Sequence, residues 1–125
     1  MTAQVVTITE LPYKEIKKIT WDWLCTDAGA VVGAATTNLY SGILSRIETI
    51  PDGGDTAPTA LYDITLKNDD GVDLLSGLGA DRSATLTETK NFNDGLGVLV
   101  KSKLTLAVSS AGNAKGGIVI AYILE

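Results

Sequence analysis

Histidine is absent from all 125 residues of this chain. It is the commonest general base near neutral pH and a frequent ligand of zinc. Without it, the chain cannot form a Ser-His-Asp or Cys-His catalytic arrangement, or a zinc site with histidine ligands. This absence is the main sequence argument against an enzyme, and we predict a protein with no catalytic residues.

Cysteine is nearly absent, because Cys25 is the single cysteine of the chain. One cysteine excludes an intrachain disulfide and, by itself, a thiolate zinc site. Cys25 continues an alternating pattern of apolar residues. We therefore predict a small buried hydrophobic side chain at this position rather than a reactive thiol.

Positive charge is scarce and apolar runs are short. The chain has 10 Lys and Arg against 15 Asp and Glu, which gives a net charge of −5. Binding to a phosphate backbone needs clustered basic residues, and the lysines here are scattered. The longest apolar run, residues 118–124, is far shorter than the roughly 18 residues of a membrane helix. Residues 1–18 also lack a basic segment followed by an apolar core, so we predict no signal peptide, no membrane contact and no nucleic-acid partner.

What the chain has is alternation. Over residues 17–25 the side chains of Ile19, Trp21, Trp23 and Cys25 alternate with polar or smaller ones, which is the period of a half-buried strand. Both tryptophans fall on the apolar face, so we predict that they belong to the core or to a protein contact. The alternative is an exposed platform that stacks a sugar ring or a base.

Similar patterns predict further strands. Pro12 is expected to end the strand at residues 4–9, and a bulge near Gly42 is expected in the strand at residues 39–50. Residues 26–38 are predicted as a loop or a loose edge strand, residues 72–75 as the return of a hairpin, and residues 76–81 as one helical turn. The further strands are residues 4–9, 39–50, 62–67, 97–108 and 118–124, the last of them central because it is apolar on both faces.

These patterns predict an all-β fold, an antiparallel β-sandwich of about eight strands, jelly-roll or immunoglobulin-like. At this length the chain fits one domain. We divide it into residues 1–15, an N-terminal strand or arm that reaches a neighbouring molecule, and residues 16–125, a single β-sandwich domain.

Five aspartates are candidates for a calcium site, because hard cations prefer several oxygen ligands from loops. Their spacing does not match a helix-loop-helix calcium loop, and aspartate beside glycine is also ordinary turn chemistry, which we favour. Pairs among them, or Asp81 with Glu88, are the only candidates for a carboxylate pair of a glycosidase. We predict no metal, and the five calcium candidates are Asp52, Asp55, Asp69, Asp70 and Asp73.

Several motifs, read in order, carry a resemblance that covers most of the chain from Lys17 onward. They include W-x-W-x-x-x-D-A at residues 21–28, P-D-x-G-D-T-x-P-T at residues 51–59 with Y-D-I-T-L at 62–66, and D-G-V-D-L-L-x-G at residues 70–77. L-T-L at residues 104–106 and A-G-N-A-K-G-G at 111–117 follow. In this order the motifs resemble those of small virion-associated proteins of tailed double-stranded-DNA bacteriophages.

The resemblance implies a structural protein of a particle, with no cofactor. Its expected role is to decorate or cement the capsid, with the major capsid protein or other virion proteins as partners. We expect a location in the virion after assembly in the host cytoplasm, and a homo-oligomer, a trimer being favoured. Alternatives are a tail, neck or fibre-base component, or a carbohydrate- or receptor-binding module that uses Trp21, Trp23 or Tyr40.

Overall fold

The computed structural model of the protein describes residues 3–92 and 98–125. Strand and bridge residues make up 56% of the described residues, which contain a single short 3-10 turn, Gly54–Thr56, and no α-helix. The strands of the described part are β1 (Val5–Tyr13), β2 (Ile16–Leu24), β3 (Val31–Ala35), β4 (Tyr40–Pro51), β5 (Asp63–Lys67), β6 (Glu88–Asn91), β7 (Val98–Ser102), β8 (Thr105–Ser109) and β9 (Gly116–Leu124).

The strands form two antiparallel sheets. The large sheet has the order β1-β2-β9-β4, and both β6 and β7 pair with the remaining side of β4. The small sheet has the order β3-β8-β5. The predicted all-β sandwich is therefore confirmed, with nine strands in the described residues instead of about eight.

The core lies between the two sheets and draws on both. Trp21 on β2 donates its indole N–H to the Ala34 carbonyl oxygen on β3 at 3.0 Å, which joins the layers. The rings of Trp23 and Tyr62 pack with their centroids 5.7 Å apart. Ile64 and Leu66 of β5 belong to the same buried cluster.

Strand β2 has the alternation that its sequence predicts. Ile19, Trp21, Trp23 and Cys25 are at most 1% exposed, whereas Asp22 lies on the outer face. The prediction that the tryptophans belong to the core is confirmed. The predicted central position of β9 is confirmed too, because β9 lies between β2 and β4.

Strand β1 extends beyond the predicted residues 4–9, to Tyr13, and Pro12 does not end it. Proline is tolerated there because β1 is an edge strand and its outer side needs no N–H donor. All nine residues of β1 pair with β2. That residues 1–15 contact a neighbouring molecule stays a prediction.

The irregularity of β4 lies between Leu44 and Arg46 rather than at Gly42. Gly42 has a different reason to be glycine. A Cβ atom at this position would lie 2.1 Å from the carbonyl oxygen of Leu124 on β9, so the two backbones approach too closely for any side chain.

The predicted strand of residues 97–108 is two strands, and its first residue lies outside the described part. β7 belongs to the large sheet and β8 to the small one. The pattern hides this change of sheet, because Ser102 and Leu104 on either side of the crossing remain buried in phase with Val100 and Leu106.

Three shorter predictions have different outcomes. Residues 26–38 contain an edge strand, β3, which was one of the two predicted alternatives. The predicted hairpin return at residues 72–75 is only an isolated bridge from Asp73 to Lys67. Residues 76–81 form successive turns, such as the bond from the Ala80 N–H to the Gly77 carbonyl, instead of a helical turn.

Candidate functional site

The outer face of the large sheet carries a line of apolar side chains, which we call the apolar row. Residues that are directly opposite one another on antiparallel strands point to the same face of a sheet. The register therefore aligns one residue from each of five adjacent strands. The apolar row is Tyr13 on β1, Ile16 on β2, Leu124 on β9, Ile43 on β4 and Leu99 on β7.

The apolar row is accessible to solvent. Leu99 is 74% exposed, Tyr13 57%, and Ile16 and Leu124 43% and 42%. With strands spaced by about 4.8 Å, the row is roughly 19 Å long from β1 to β7. Isolated exposed apolar residues are ordinary, but a contiguous line of them is typical of a surface that contacts another molecule.

A more polar row follows on the same face, one step along the strands. It contains two cationic side chains, Lys18 and Arg46, on either side of Tyr122. A depression of about 360 Å³ separates it from the apolar row. The depression is lined by Ile16, Ser45, Arg46, Asn91, Tyr122 and Leu124.

Glu48 organises the polar groups beside this depression. Its carboxylate lies 3.0 Å from the Arg46 guanidinium and accepts a hydrogen bond from the Tyr122 hydroxyl at 3.2 Å. Burial and the charge of Glu48 raise the pKa of Tyr122 above its ordinary value. Tyr122 is therefore a neutral hydroxyl at physiological pH, and the face offers apolar contact together with a cation and a hydroxyl.

A second concavity, of about 310 Å³, opens between β1 and the loop that joins β3 to β4. Glu10 is its central group. The Glu10 carboxylate accepts hydrogen bonds from the Tyr40 hydroxyl at 2.6 Å and from the backbone N–H groups of Thr37 and Asn38 at 3.1 and 3.2 Å. At the rim, Lys17 forms an ion pair with Glu125 at 3.3 Å.

Opposing effects set the pKa of Glu10. Burial raises it, but the hydrogen bonds from Tyr40, Thr37 and Asn38 outweigh burial and hold the pKa of Glu10 below its ordinary value. The same contact acts in the other direction on Tyr40, whose pKa is raised by burial and by the neighbouring Glu10 carboxylate. Because these polar groups bind one another, the second concavity resembles a structural joint more than a binding site.

The calcium candidates lie in two different loops. Asp52 accepts a hydrogen bond from the Thr56 hydroxyl at 3.1 Å, and the backbone carbonyl of Asp55 accepts one from the Lys115 ammonium at 2.7 Å. The carboxylate of Asp73 accepts three backbone N–H groups, each at 3.1 Å, as aspartates in turns do. Asp69 and Asp70 are in the turn before it, where the Asp70 N–H bonds to the Asn68 side chain.

Residues 3–92 and 98–125 contain no group of three or more His, Cys, Asp or Glu side chains that could hold a metal ion. The other carboxylate pair that the sequence raised, Asp81 with Glu88, has separate partners. The Asp81 N–H bonds to the Asp63 carboxylate at 2.8 Å, and Glu88 accepts the Ser83 N–H at 2.6 Å. Among these acidic residues, the side chains of Asp52, Asp73 and Glu88 accept hydrogen bonds within their own turns and loops.

The aromatic residues proposed for sugar binding are inside the protein. Trp21 and Trp23 are at most 1% exposed and Tyr40 is 6% exposed, so none of them presents a free ring face. Cys25 is buried as predicted. Its thiol lies 3.1 Å from the Gly112 carbonyl oxygen and its sulfur accepts the Lys115 N–H at 3.2 Å.

Comparison of the chain with protein-family models, with curated proteins and with solved structures finds no match. In the part of the chain that the structure describes, no helix has the length and apolar character to cross a membrane. The functional argument therefore depends on the surface itself.

Sequence reasoning did not find the apolar row. Its five residues are spread from position 13 to position 124, and only the strand register brings them together. One local signal was available: the two residues between Tyr13 and Ile16 are the length of a tight hairpin loop, which places these two side chains opposite one another. The places of Leu124, Ile43 and Leu99 in the row can be known only from the order of β9, β4 and β7 in the sheet.

Proposed function

We propose that this chain is a non-enzymatic structural protein of a bacteriophage virion, which decorates or cements the capsid surface by contacts with other virion proteins. One observation carries the proposal: the apolar row is a contiguous line of side chains across five strands of one sheet, of which all but the half-buried Ile43 are exposed. The sequence resemblance to virion-associated phage proteins supplies the setting.

The surface suits contact with protein rather than chemistry. The apolar row can exclude water from a contact, and Lys18 and Arg46 beside it can pair with acidic groups of a partner. A contact of this size is weak for one copy. When many copies bind a repeated surface, avidity makes the whole layer stable.

The test is mass spectrometry of purified virions with the copy number determined. A decoration protein is expected in hundreds of copies per particle, whereas a tail, neck or fibre-base component, the second candidate, is expected in about six to a few dozen because such parts follow closed symmetry. Absence of the chain from washed particles would refute the proposal.

A matched pair of variants connects the result to the apolar row. Leu99 is 74% exposed in the row, and Leu86 is 67% exposed outside it. We expect Leu99→Lys to reduce incorporation into particles at least about tenfold, which corresponds to a loss of about 1.4 kcal/mol of binding free energy. Leu86→Lys should be incorporated like the unmodified chain, and equal loss in both variants would exclude the row as the contact.

A further inference from the structure

Within residues 3–92 and 98–125, strand β1 has an edge that pairs with no other strand. It is the last strand on its side of the large sheet, it is nine residues long, and its pairing with β2 has no bulge. Exposed edges of this length present a row of backbone donors and acceptors that another strand can use.

The backbone groups on this edge can be identified. In an antiparallel sheet, the N–H and C=O of one residue both point to the same neighbouring strand, and successive residues alternate. The Cys25 N–H bonds to the Lys115 carbonyl beside β9, so the backbone groups of Cys25 point to β9. Those of the preceding residue, Leu24, therefore point to β1, where the partner of Leu24 is Val5. The odd-numbered residues of β1 therefore bond to β2. The even-numbered ones, which include Val6, Ile8 and Glu10, point outward.

We propose that a second copy of this chain pairs with β1 through its own β1, antiparallel, about a two-fold axis at Thr9. The occupant is a second copy because β1 is complementary to itself in this register. Thr9 is the middle residue of β1, so with the axis there each of the nine residues lies opposite a residue of the second copy, and the two positions of every pair sum to 18. Val5 then faces Tyr13 of the second copy, and these are two of the most exposed apolar residues of the strand, at 59% and 57%.

Charge favours the register with its axis at Thr9 over the register with its axis at Glu10. Glu10 is the only charged residue of β1. An axis at Glu10 would place two carboxylates opposite one another, which is unfavourable. With the axis at Thr9, Glu10 faces Ile8 of the second copy instead, and each exchanges backbone hydrogen bonds with the other.

Pro12 is compatible with the contact. In the proposed register it lies opposite Val6 of the second copy, near the end of the paired segment. Its carbonyl already accepts the Lys14 N–H at 3.1 Å and would accept the Val6 N–H of the second copy with its other lone pair. The missing Pro12 N–H leaves one acceptor per copy unpaired. The central bonds of Ile8 and Glu10 are unaffected.

The pairing also extends the apolar row. Tyr13 ends the row on β1, and across the junction the second copy's Val5 follows, with Leu24 beside it in register. The large sheets of two copies become one continuous sheet. Because the contact uses the same surface of both copies, it closes at a dimer and not at the trimer that the sequence analysis favours. The inference does not depend on the proposed function.

The experiment measures the mass of the full chain by sedimentation or light scattering over a range of concentrations. Thr9 is exposed and lies on the axis, so Thr9→Lys places two ammonium groups opposite one another while the monomer is unchanged. We expect a dimer for the unmodified chain and a dimer dissociation constant at least about tenfold higher for Thr9→Lys. Thr89→Lys, at an exposed threonine on β6 near the opposite edge of the sheet, is the matched control and should remain a dimer.

Two further measurements make the test specific. An equal mixture of Thr9→Lys and Thr9→Glu should form a mixed dimer, because opposite charges then meet at the axis. In hydrogen exchange, the amides of Val6, Ile8 and Glu10 should become protected as concentration rises, whereas Thr7 and Leu11 should be protected at every concentration. A monomer or a trimer for the unmodified chain, an unchanged Thr9→Lys dimer, or no rescue in the mixture would overturn the inference.

Discussion

At the scale of single residues, close backbone contact decides what the sequence may contain. Gly42 is the clearest example, because its Cα faces the carbonyl oxygen of Leu124 on the neighbouring strand. Sequence patterns predicted a bulge near this glycine, and β4 has an irregularity a few residues on, between Leu44 and Arg46, but the patterns did not show why residue 42 itself is glycine. The true reason depends on the register between β4 and β9, which no local pattern contains.

We predict that Gly42→Ala destabilises the protein by about 1–3 kcal/mol, as overpacking does. The added methyl group would lie 2.1 Å from the Leu124 oxygen, so β9 must move. The measurement is the free energy of unfolding in urea. Gly53→Ala is the control, since Gly53 has φ −98 and no atom within 4 Å of its added Cβ. It should stay within about 1 kcal/mol of the unmodified protein, and equal losses in both variants would contradict the argument.

At the scale of elements, two side chains, Gln4 just before β1 and Glu10 within it, fasten the large sheet to the small one. The amide of Gln4 both donates to the Val32 carbonyl and accepts the Val32 N–H, each at 2.8 Å, and so acts as a strand partner for the edge of β3. The Glu10 carboxylate fastens the loop after β3 by accepting the backbone N–H groups of Thr37 and Asn38. Strand patterns predict β1 and β3 but not this bridge, because it joins residues 27 to 28 positions apart.

The Glu10 bridge should make stability depend on pH. Its folded-state pKa is lowered from 4.5, so the carboxylate stabilises the fold above about pH 4.5, and this stabilisation is lost as pH falls through the folded-state pKa. Glu10→Gln removes the charge at every pH. We therefore expect a lower melting temperature for Glu10→Gln at pH 7, and a difference from the unmodified protein that shrinks towards about pH 3.

The control for this prediction is Glu15→Gln. Glu15 is exposed in the turn after β1, and within the described residues its side chain makes no hydrogen bond or ion pair. The melting temperature of the Glu15→Gln variant should match that of the unmodified protein at both pH values. A difference for Glu10→Gln that stays constant or widens in acid would show that the carboxylate charge is not what holds the loop.

At the scale of the whole molecule, the two sheets share one core. Buried residues of β2, β4 and β9 pack with residues of β5 and β8 in a single cluster. The sequence predicted this sandwich because its buried strands alternate clearly. The candidate contact surface was less predictable, because the apolar row is visible only once five strands are in register. Of the aspartates that stood out in the sequence, Asp52 and Asp73 accept hydrogen bonds in their own turns.

A shared core should make unfolding cooperative. We expect urea titrations followed by tryptophan fluorescence and by far-UV circular dichroism to give one coincident transition. Trp21 and Trp23 report on the interface between the sheets, and circular dichroism reports on all strands. Separate midpoints would mean that one sheet persists without the other.

The crossing from β7 to β8 gives the sandwich a mechanical property. Thr36 donates its N–H to the Leu104 carbonyl at 2.8 Å, and its hydroxyl oxygen accepts the Leu104 N–H at 3.1 Å. These bonds continue the β3–β8 pairing by one position, so the chain is fixed to the small sheet as soon as it leaves β7. A force that pulls the two sheets apart would therefore load these two hydrogen bonds through the short segment that joins β7 to β8.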